Sequence, residues 1–464
     1  MRYQSTRGQA PELGFDDALL TGLARDGGLY LPVSWPQRSV DDWRAMRGLG
    51  YAALATQVTA PFVEGSAVES DLAQIMDDAY APFSHPAIAP MVQLAHNTWL
   101  MELFHGPTLA FKDFALQVVG HLFDRVLSAR SERLTIVGAT SGDTGSAAIA
   151  ACADRDAIDI IILHPKGRVS EVQRRQMTTV EAGNVHNVAI DGTFDDCQAL
   201  VKAMFNDQPF RDELHLSAVN SINWARIMAQ SVYYVAASLA LGGPDRPIAF
   251  AVPTGNFGNV FAGYCAAKMG LPIANFLVGS NRNDILTRYF ESGAMTVDQV
   301  VPTLSPAMDI QVSSNFERLL FDAYDRDATA IKRLMDGLLQ SGSYTVEQVP
   351  KDKIGSQFIG TRLDDEGTKR VVRETYLDTG HLIDPHTAIG VHAAQSSSLD
   401  PSIPRVVMAT AHPAKFPDAV EDATGIRPPL PDLMAGLYDR DERMTDLPND
   451  LERVQDFVRA HARV

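Results

Sequence analysis

Cysteine is scarce in this chain of 464 residues, which has only Cys152, Cys197 and Cys265. Three scattered thiols exclude a disulfide framework and a structural zinc site, and they favour a reducing compartment. Long apolar runs are also missing, since no window approaches the roughly 18 uninterrupted apolar residues of a membrane helix. The first residues lack the apolar core of a signal peptide. We therefore expect a cytoplasmic protein that does not cross a membrane.

Positive charge is also in short supply. Lysine and arginine number 40 against 57 acidic residues, which leaves a formal net charge of −17. Such a field repels nucleic acid and anionic membrane surfaces, so we expect neither as a partner. An anionic small molecule would have to be held by a local group of cations or backbone N–H groups. Apolar residues make up 45% of the chain, as in ordinary globular proteins, which excludes overall disorder.

The pattern along the chain changes at a cluster of prolines at positions 82, 86 and 90. Before it, apolar spacing predicts helices at 15–24, 43–59 and 71–80. After it, β-branched runs predict strands at 134–140, 158–165, 185–191, 247–253, 274–280 and 405–411. Helices are predicted between them at 114–127, 224–241 and 317–342. This alternation predicts an α/β protein whose parallel sheets are covered by helices on both faces.

Two predicted strands end in turns rich in glycine and small polar residues. The first turn is GATSGDTGSAA at 138–148, and the second is PTGNFGN at 253–259. Ligands bind at the carboxyl ends of parallel strands, and helix N-termini there favour anions. Neither turn has the pattern of a P-loop or of a dinucleotide-binding loop. Each turn alone is equally consistent with an ordinary glycine-rich connection.

Lys112 stands out in the segment HGPTLAFKDFALQ at 105–117. It lies at the start of a predicted helix, between Phe111 and Phe114, where the helix dipole and partial burial both disfavour its charge. A lysine with a lowered pKa is suited to imine chemistry with a carbonyl group. The alternative is a structural lysine whose aliphatic stem packs on the two rings.

These segments, together with NSINWARI at 220–227, TAHPAKF at 410–416 and GLARDGGLYLP at 22–32, occur in an order that resembles one family. They resemble the threonine synthases of the longer bacterial and fungal type, which are pyridoxal 5′-phosphate (PLP) enzymes of fold type II. The resemblance extends over about residues 1–425. It implies a fold like that of the tryptophan synthase β subunit, with two parallel-sheet subdomains and a mostly helical N-terminal domain. The implied ranges are 1–88 for the N-terminal domain, 89–130 with 240–464 for the large PLP-binding domain, and 131–239 for the small α/β domain.

The resemblance also implies a reaction and roles for residues. The family converts O-phospho-L-homoserine and water into L-threonine and phosphate. Lys112 resembles the lysine that binds PLP covalently, and Thr410 resembles the residue beside the pyridine nitrogen. The loop that holds the cofactor phosphate corresponds to Gly255, Asn256, Phe257, Gly258 and Asn259.

The substrate carboxylate is expected at the first glycine-rich turn, at Thr140, Ser141, Asp143 and Thr144. Many fold type II relatives have asparagine at the position of Asp143, and an ionised carboxylate there would repel the substrate. We therefore assign carboxylate binding to Ser141, Thr144 and the backbone. The role of Asp143, which could be to orient the loop, stays open.

The phosphate of the substrate needs a site of its own, with cations or N–H groups. The candidates are Lys166, Arg168, Arg226 and Lys415, with Asn220 and Asn223 as neutral donors. We favour Arg226 because it follows Asn223 by one helical turn, on about the same face. The alternative for Arg226 is a solvated charge on the helix surface.

Two other functions remain open from the sequence. One is another fold type II lyase that acts on a phosphorylated amino acid, and the other is a catalytically silent ligand-binding protein on the same fold. Lys112 lies in an intact family motif, and a catalytically silent protein would not need the lysine that binds PLP, which argues against that alternative. No metal site is expected, because His381 and His386 lack the spacing of a zinc protease and suit ordinary loop and core positions.

Overall fold

The computed structural model describes residues 1–218 and 220–463 of the chain. Its strands are β1 (Tyr3–Ser5), β2 (Tyr30–Pro32), β3 (Met91–Ala95), β4 (Thr98–Glu102), β5 (Leu134–Ala139), β6 (Ile158–Pro165), β7 (Val185–Asp191), β8 (Leu216–Ser217), β9 (Ile248–Pro253), β10 (Ile273–Ser280), β11 (Ala294–Thr296), β12 (Ser343–Thr345), β13 (Phe358–Arg362), β14 (Arg405–Ala409) and β15 (Thr445–Pro448). Its α-helices are α1 (Phe15–Thr21), α2 (Val40–Ala45), α3 (Tyr51–Val63), α4 (Leu72–Tyr80), α5 (Lys112–Arg130), α6 (Asp143–Cys152), α7 (Glu171–Thr178), α8 (Phe194–Asn206), α9 (Gln208–Glu213), α10 (Trp224–Ala240), α11 (Gly258–Lys268), α12 (Ile285–Ser292), α13 (Phe316–Ala323), α14 (Ala328–Ser341), α15 (Gln348–Gly355), α16 (Asp365–Thr379), α17 (Pro385–Gln395), α18 (Pro417–Thr424) and α19 (Leu451–His461).

The larger sheet has the strand order β13-β10-β9-β14-β4-β3, and only the β3–β4 pair is antiparallel. Successive residues of one strand point to opposite faces. Phe250 of β9 packs into the core with α10 and α11, whereas Ala251 packs into a second core with α17. All residues of β9 are buried. The continuous apolar run in the sequence therefore reflects burial on both faces, as predicted.

The smaller sheet has the order β15-β7-β6-β5-β8, and all of its pairs are parallel. Its central strand β6 is buried along its whole length. Ile160 belongs to the main core, while Ile161 packs with α8 and α19 on the other face. Both sheets thus confirm the predicted α/β class with helices on either side.

The N-terminal region is mainly helical, and it packs on the rest of the chain. Rings of Tyr3 and Phe62 lie 5.9 and 5.6 Å from the ring of Trp224 in α10. The helix predicted at 43–59 is instead two helices, α2 and α3. They are separated at Gly48, whose φ of 81° lies in the left-handed region that glycine tolerates.

The predicted domain ranges need two corrections. Strand β15 pairs with β7, with Leu447 opposite Ile190, and α19 packs on α8. The last residues therefore join the small sheet and not the large domain. Helix α10 was predicted in the small domain, but it packs on α5 and α11. The ring centres of Tyr234 in α10 and Phe250 in the large sheet are 4.8 Å apart. Sequence order alone does not reveal which sheet a helix covers or which strand a short segment pairs with.

Other differences are local. The helix predicted at 317–342 is split into α13 and α14 by a turn in which Asp325 and Arg326 have φ values of 51° and 69°. The short strands β1, β2, β3, β4, β8, β11, β12, β13 and β15 were not predicted. Of the helices in residues 1–218 and 220–463, none combines the length and apolarity needed to cross a membrane.

Candidate active site

The segment that carries Lys112 lies beside the end of strand β14. Ala110 forms an isolated antiparallel bridge with Ala411, and the N–H of Phe111 donates to the carbonyl of Thr410 at 2.8 Å. Helix α5 begins directly afterwards, at Lys112. These backbone contacts place Lys112 and Thr410 side by side, although almost 300 residues separate them in the sequence.

Lys112 is buried at the start of α5. Its Nζ lies 3.3 Å from Oδ2 of Asp143 and 5.6 Å from the centre of the Phe111 ring. Burial lowers the pKa of Lys112, and the nearby charges of Lys415 and Arg226 act in the same direction, whereas Asp143 opposes them. The amine is therefore easier to deprotonate than an ordinary lysine, as imine chemistry requires.

Asp143, whose role the sequence left open, is the first residue of α6 and is shared between two lysines. Its Oδ1 lies 3.0 Å from Nζ of Lys415 and accepts a hydrogen bond of 2.8 Å from Nε2 of Gln173. Burial would raise the pKa of Asp143, but the charges of Lys112 and Lys415 hold it well below its usual range. Both ion pairs favour the ionised carboxylate and balance its charge within the protein.

Lys415 has no exposed surface. Besides Asp143, its Nζ donates to the carbonyl of Thr108 at 2.6 Å. The short 3₁₀ turn Pro413–Lys415 directs the side chain inward. The ammonium group of Lys415 is thus bound by protein oxygens, a setting that the sequence interpretation of Lys415 as a ligand for the substrate phosphate did not anticipate.

The second glycine-rich turn joins β9 to α11. Phe257 has a φ of 62°, and α11 begins at Gly258 without a side-chain cap. Two carbonyls of the turn accept side-chain hydrogen bonds. Ser313 Oγ donates to the Gly255 carbonyl at 2.7 Å, and Asn315 Nδ2 donates to the Asn256 carbonyl at 3.0 Å. The uncapped N–H groups at the start of α11 remain for an anion.

Two buried side chains, one in α10 and one in α11, have hydrogen-bond donors without acceptors among the described residues. Arg226 is buried in α10, and its Nε and Nη1 have no acceptor among the described residues. Asn259 Nδ2 is in the same condition, while its Oδ1 accepts from the hydroxyls of Tyr233 and Tyr234 at 2.7 and 2.9 Å. Burial lowers the pKa of Arg226 to about 10. Buried donors without acceptors are costly, so these groups fit a site built for a phosphate.

The first glycine-rich turn is held by its own threonine. Oγ1 of Thr140 accepts hydrogen bonds from the N–H groups of Gly142 and Gly145, both at 2.9 Å. Gly142 has a φ of 142°, and a Cβ there would lie 2.5 Å from the Gln173 side chain. Ser141 and Thr144 are half-buried. The hydroxyl of Thr140 is therefore used within the turn.

The other candidates for a substrate phosphate are placed differently. Asn223 caps α10 by accepting from the Ala225 N–H at 3.0 Å, and its Nδ2 donates to the Leu19 carbonyl at 2.8 Å. This gives Asn223 a structural role that the sequence did not predict. Asn220 is exposed. Lys166 and Arg168 are exposed too, and Lys166 pairs with Asp446.

Thr410 is buried and does not cap a helix, because the His412 side chain caps the following 3₁₀ turn. His386 is buried beside Asp384, with Nδ1 2.7 Å from Oδ2. In the part of the chain that the structure describes, no group of three or more His, Cys, Asp or Glu side chains is placed to hold a metal ion.

Several supporting residues were missed in the sequence. Gln173 binds Asp143, and Asp113 accepts from the N–H and hydroxyl of Thr108 at 2.9 and 2.7 Å. Ser313 and Asn315 hold the second glycine-rich turn. Asp113 could have been noticed because it follows Lys112 directly. Gln173, Ser313 and Asn315 could not, because each contacts residues that are 30 or more positions away in the sequence.

A buried lysine with a lowered pKa, an uncapped helix start and unpaired buried donors fit an aldehyde cofactor that carries a phosphate. Residues 85–410 match the family described as pyridoxal-phosphate dependent enzyme. The fold and the site define a PLP-dependent enzyme of fold type II. Residues 2–80 and 387–458 match the families described as threonine synthase N terminus and threonine synthase, C-terminal.

Individual relatives agree with these family matches. The chain is 54% identical over 462 residues to a threonine synthase of Pseudomonas aeruginosa, covering 99% of this chain and 98% of that one. A PLP-bound threonine synthase from Brucella melitensis is 54% identical, with a TM-score of 0.98 and full coverage of both chains. The yeast threonine synthase structure is 36% identical, with a TM-score of 0.93 and coverage of 99% and 98%.

The chain belongs to the threonine synthase family. Its cofactor is PLP, and its activity is that of a threonine synthase, a lyase of amino-acid biosynthesis.

Proposed function

We propose that this chain converts O-phospho-L-homoserine and water into L-threonine and phosphate, with the residues described above in specific roles. The observation that carries the proposal is Arg226, a buried arginine whose Nε and Nη1 have no hydrogen-bond partner among the described residues and whose charge lowers the pKa of Lys112. When bound, PLP supplies an electron sink for negative charge at the substrate Cα.

Lys112 holds the cofactor covalently and, once released, carries protons. Its lowered pKa allows Nζ to take a proton from Cα and then from Cβ of the substrate, and to return protons later in the reaction. One amine near both carbons is sufficient for these transfers. The position of Lys112 at the start of α5, fixed by the backbone contact with Thr410, supports this role.

The turn formed by Gly255, Asn256, Phe257, Gly258 and Asn259 would hold the cofactor phosphate. The uncapped start of α11 supports this assignment, since its N–H groups and helix dipole favour an anion. Thr410 would donate a hydrogen bond from its hydroxyl to the pyridine nitrogen. Its burial without a capping role supports that function.

The substrate binds by its two ends. Its phosphate is held by Arg226, whose unpaired Nε and Nη1 donate charge-assisted hydrogen bonds and stabilise the leaving group. Its carboxylate is held by Ser141, Thr144 and the N–H groups at the start of α6, which has no side-chain cap. Asp143 takes no part in this contact, because its charge is bound to Lys112 and Lys415.

Product analysis tests the proposal. Incubation with O-phospho-L-homoserine should release threonine and phosphate in equal amounts. Release of phosphate without threonine would favour another lyase, and release of neither would favour a silent protein. Lys112→Ala should abolish both products, whereas Lys166→Ala, which removes an exposed lysine paired with Asp446, should leave them unchanged.

A cytoplasmic location is part of the proposal. It is supported by the three free, buried cysteines, which suit a reducing compartment. The strongly negative formal charge supports a small-molecule substrate in place of a nucleic acid or an anionic membrane surface.

A further inference from the structure

Two ammonium groups share one carboxylate at the centre of the site. Lys415 Nζ lies 3.0 Å from Oδ1 of Asp143, and Lys112 Nζ lies 3.3 Å from Oδ2. All three side chains are buried. The proposed function uses Lys112, whereas it gives Lys415 no task, although a fully buried lysine is costly unless it is paired.

The position of Lys415 is built from several directions. Its second acceptor is the Thr108 carbonyl at 2.6 Å, which also accepts from Gln176 Nε2 at 3.1 Å. Thr108 is in turn held by the carboxylate of Asp113. The ammonium of Lys415 is therefore fixed beside Asp143 by contacts that do not involve Lys112.

We propose that Lys415 is a positioning residue for the reaction: it binds one oxygen of Asp143 and so keeps that carboxylate from holding the proton on Lys112. This inference deepens the proposed function and rests on Lys112 as the residue that binds PLP. It also gives Asp143 a purpose, which is to orient the amine of Lys112 without trapping it as an ammonium ion.

Covalent attachment of the cofactor requires an uncharged amine on Lys112. Only a neutral amine adds to an aldehyde: the nitrogen lone pair forms the new C–N bond, and the aldehyde oxygen leaves as water with the two protons of the amine. A buried carboxylate alone beside Lys112 would favour the protonated amine. A second ammonium on the same carboxylate offsets that effect.

Other charged groups around the pair act in known directions. Burial lowers the pKa of Lys112, as do the charges of Lys415 and Arg226, and Asp143 raises it. The charge of His386, in α17, also favours the ionised carboxylate of Asp143. The carboxylate of Asp113, next to Lys112 in sequence, is bound to Thr108. Among these groups, Lys415 makes the shortest ionic contact with Asp143.

The test follows covalent attachment and not turnover. Full-length protein stripped of PLP is mixed with PLP and a mild borohydride across the neutral to alkaline range, and the modified Lys112 peptide is quantified by mass spectrometry. For Lys415→Met, the pH midpoint of attachment should rise by about one unit, because Asp143 then pairs with Lys112 alone. Lys415→Arg keeps the charge and should stay near the wild-type midpoint. For Asp143→Asn, the midpoint should fall.

The attachment midpoint should shift in opposite directions in Lys415→Met and Asp143→Asn, which distinguishes this positioning role from a structural one. An unchanged midpoint in a folded Lys415→Met, or a rise in both Lys415→Met and Asp143→Asn, would overturn the inference. Circular dichroism shows whether each variant is folded. If Lys415→Met is unfolded, the test rests on Asp143→Asn, and an attachment midpoint that does not fall in that variant overturns the inference. If wild type is modified at lysines other than Lys112, the proposed function itself fails, and that outcome is distinct from a normal wild-type profile without a shift in the variants.

Discussion

Replacing Arg226 by methionine should stabilise the cofactor-free protein while weakening the enzyme. Burial lowers the pKa of this arginine by roughly two units, to about 10, and each pKa unit corresponds to about 1.4 kcal/mol. Keeping the guanidinium charged in the folded state therefore costs up to about 3 kcal/mol. Because the pKa is depressed, this cost is fully present at neutral pH and declines only as the pH rises through about 10.

Urea denaturation of PLP-free protein, in buffer without phosphate, measures the first half of the prediction. The free energy of unfolding of Arg226→Met should equal or exceed that of wild type. Steady-state kinetics measure the second half: loss of charge-assisted hydrogen bonds worth about 1.5–3 kcal/mol should lower kcat/KM by about tenfold to a hundredfold.

Arg318 offers a matched control. It is as deeply buried as Arg226, and its pKa is also lowered by burial, to about 9. Its nitrogens, however, donate to the carbonyls of Tyr30 and Ile222 at 2.6–3.0 Å. Arg318→Met should therefore lose about 2 kcal/mol or more of stability, since it leaves buried carbonyls unsatisfied. A comparable loss in Arg226→Met, or unchanged kcat/KM, would refute the reasoning about Arg226.

Three further predictions concern the turns of the site. Asn256→Asp should weaken PLP retention in equilibrium dialysis, because a carboxylate would face the cofactor phosphate; unchanged affinity would mean that this turn does not hold it. Thr410→Ala should lower kcat with little change in Tm, whereas early melting with normal turnover would contradict its role at the pyridine nitrogen. Gly142→Ala should cost about 1–3 kcal/mol in urea denaturation, because φ is 142° and a Cβ would displace Gln173 from Asp143. Wild-type stability in that variant would show that the turn relaxes freely.

The buried strands were predictable because both of their faces are covered. Strands β6 and β9 are continuous apolar runs in the sequence, and every residue in them is buried. The short strands β8, β13 and β15 could not be recognised, because their pairing depends on neighbours that are distant in sequence. Strand β15 lies at the edge of its sheet, where its Pro448 is tolerated.

Local chemistry made Lys112 and the two glycine-rich turns visible in the sequence. The partner of each polar group was not visible. Lys415 and Asn223 had suitable chemistry for a phosphate, yet one is bound to Asp143 and the other caps α10. Asn315 supports the second glycine-rich turn from a segment about 60 residues away, and the residues next to Asn315 in the sequence do not indicate that contact.

The central claim concerns which bond breaks and where water enters. The reaction should be run with O-phospho-L-homoserine in ¹⁸O-labelled water, and both products should be analysed by mass spectrometry. Cleavage at Cγ followed by addition of water at Cβ predicts one ¹⁸O atom in the hydroxyl of threonine and none in the phosphate. Label in the phosphate, with unlabelled homoserine as the other product, would mean simple hydrolysis of the phosphate ester and would contradict the proposed function.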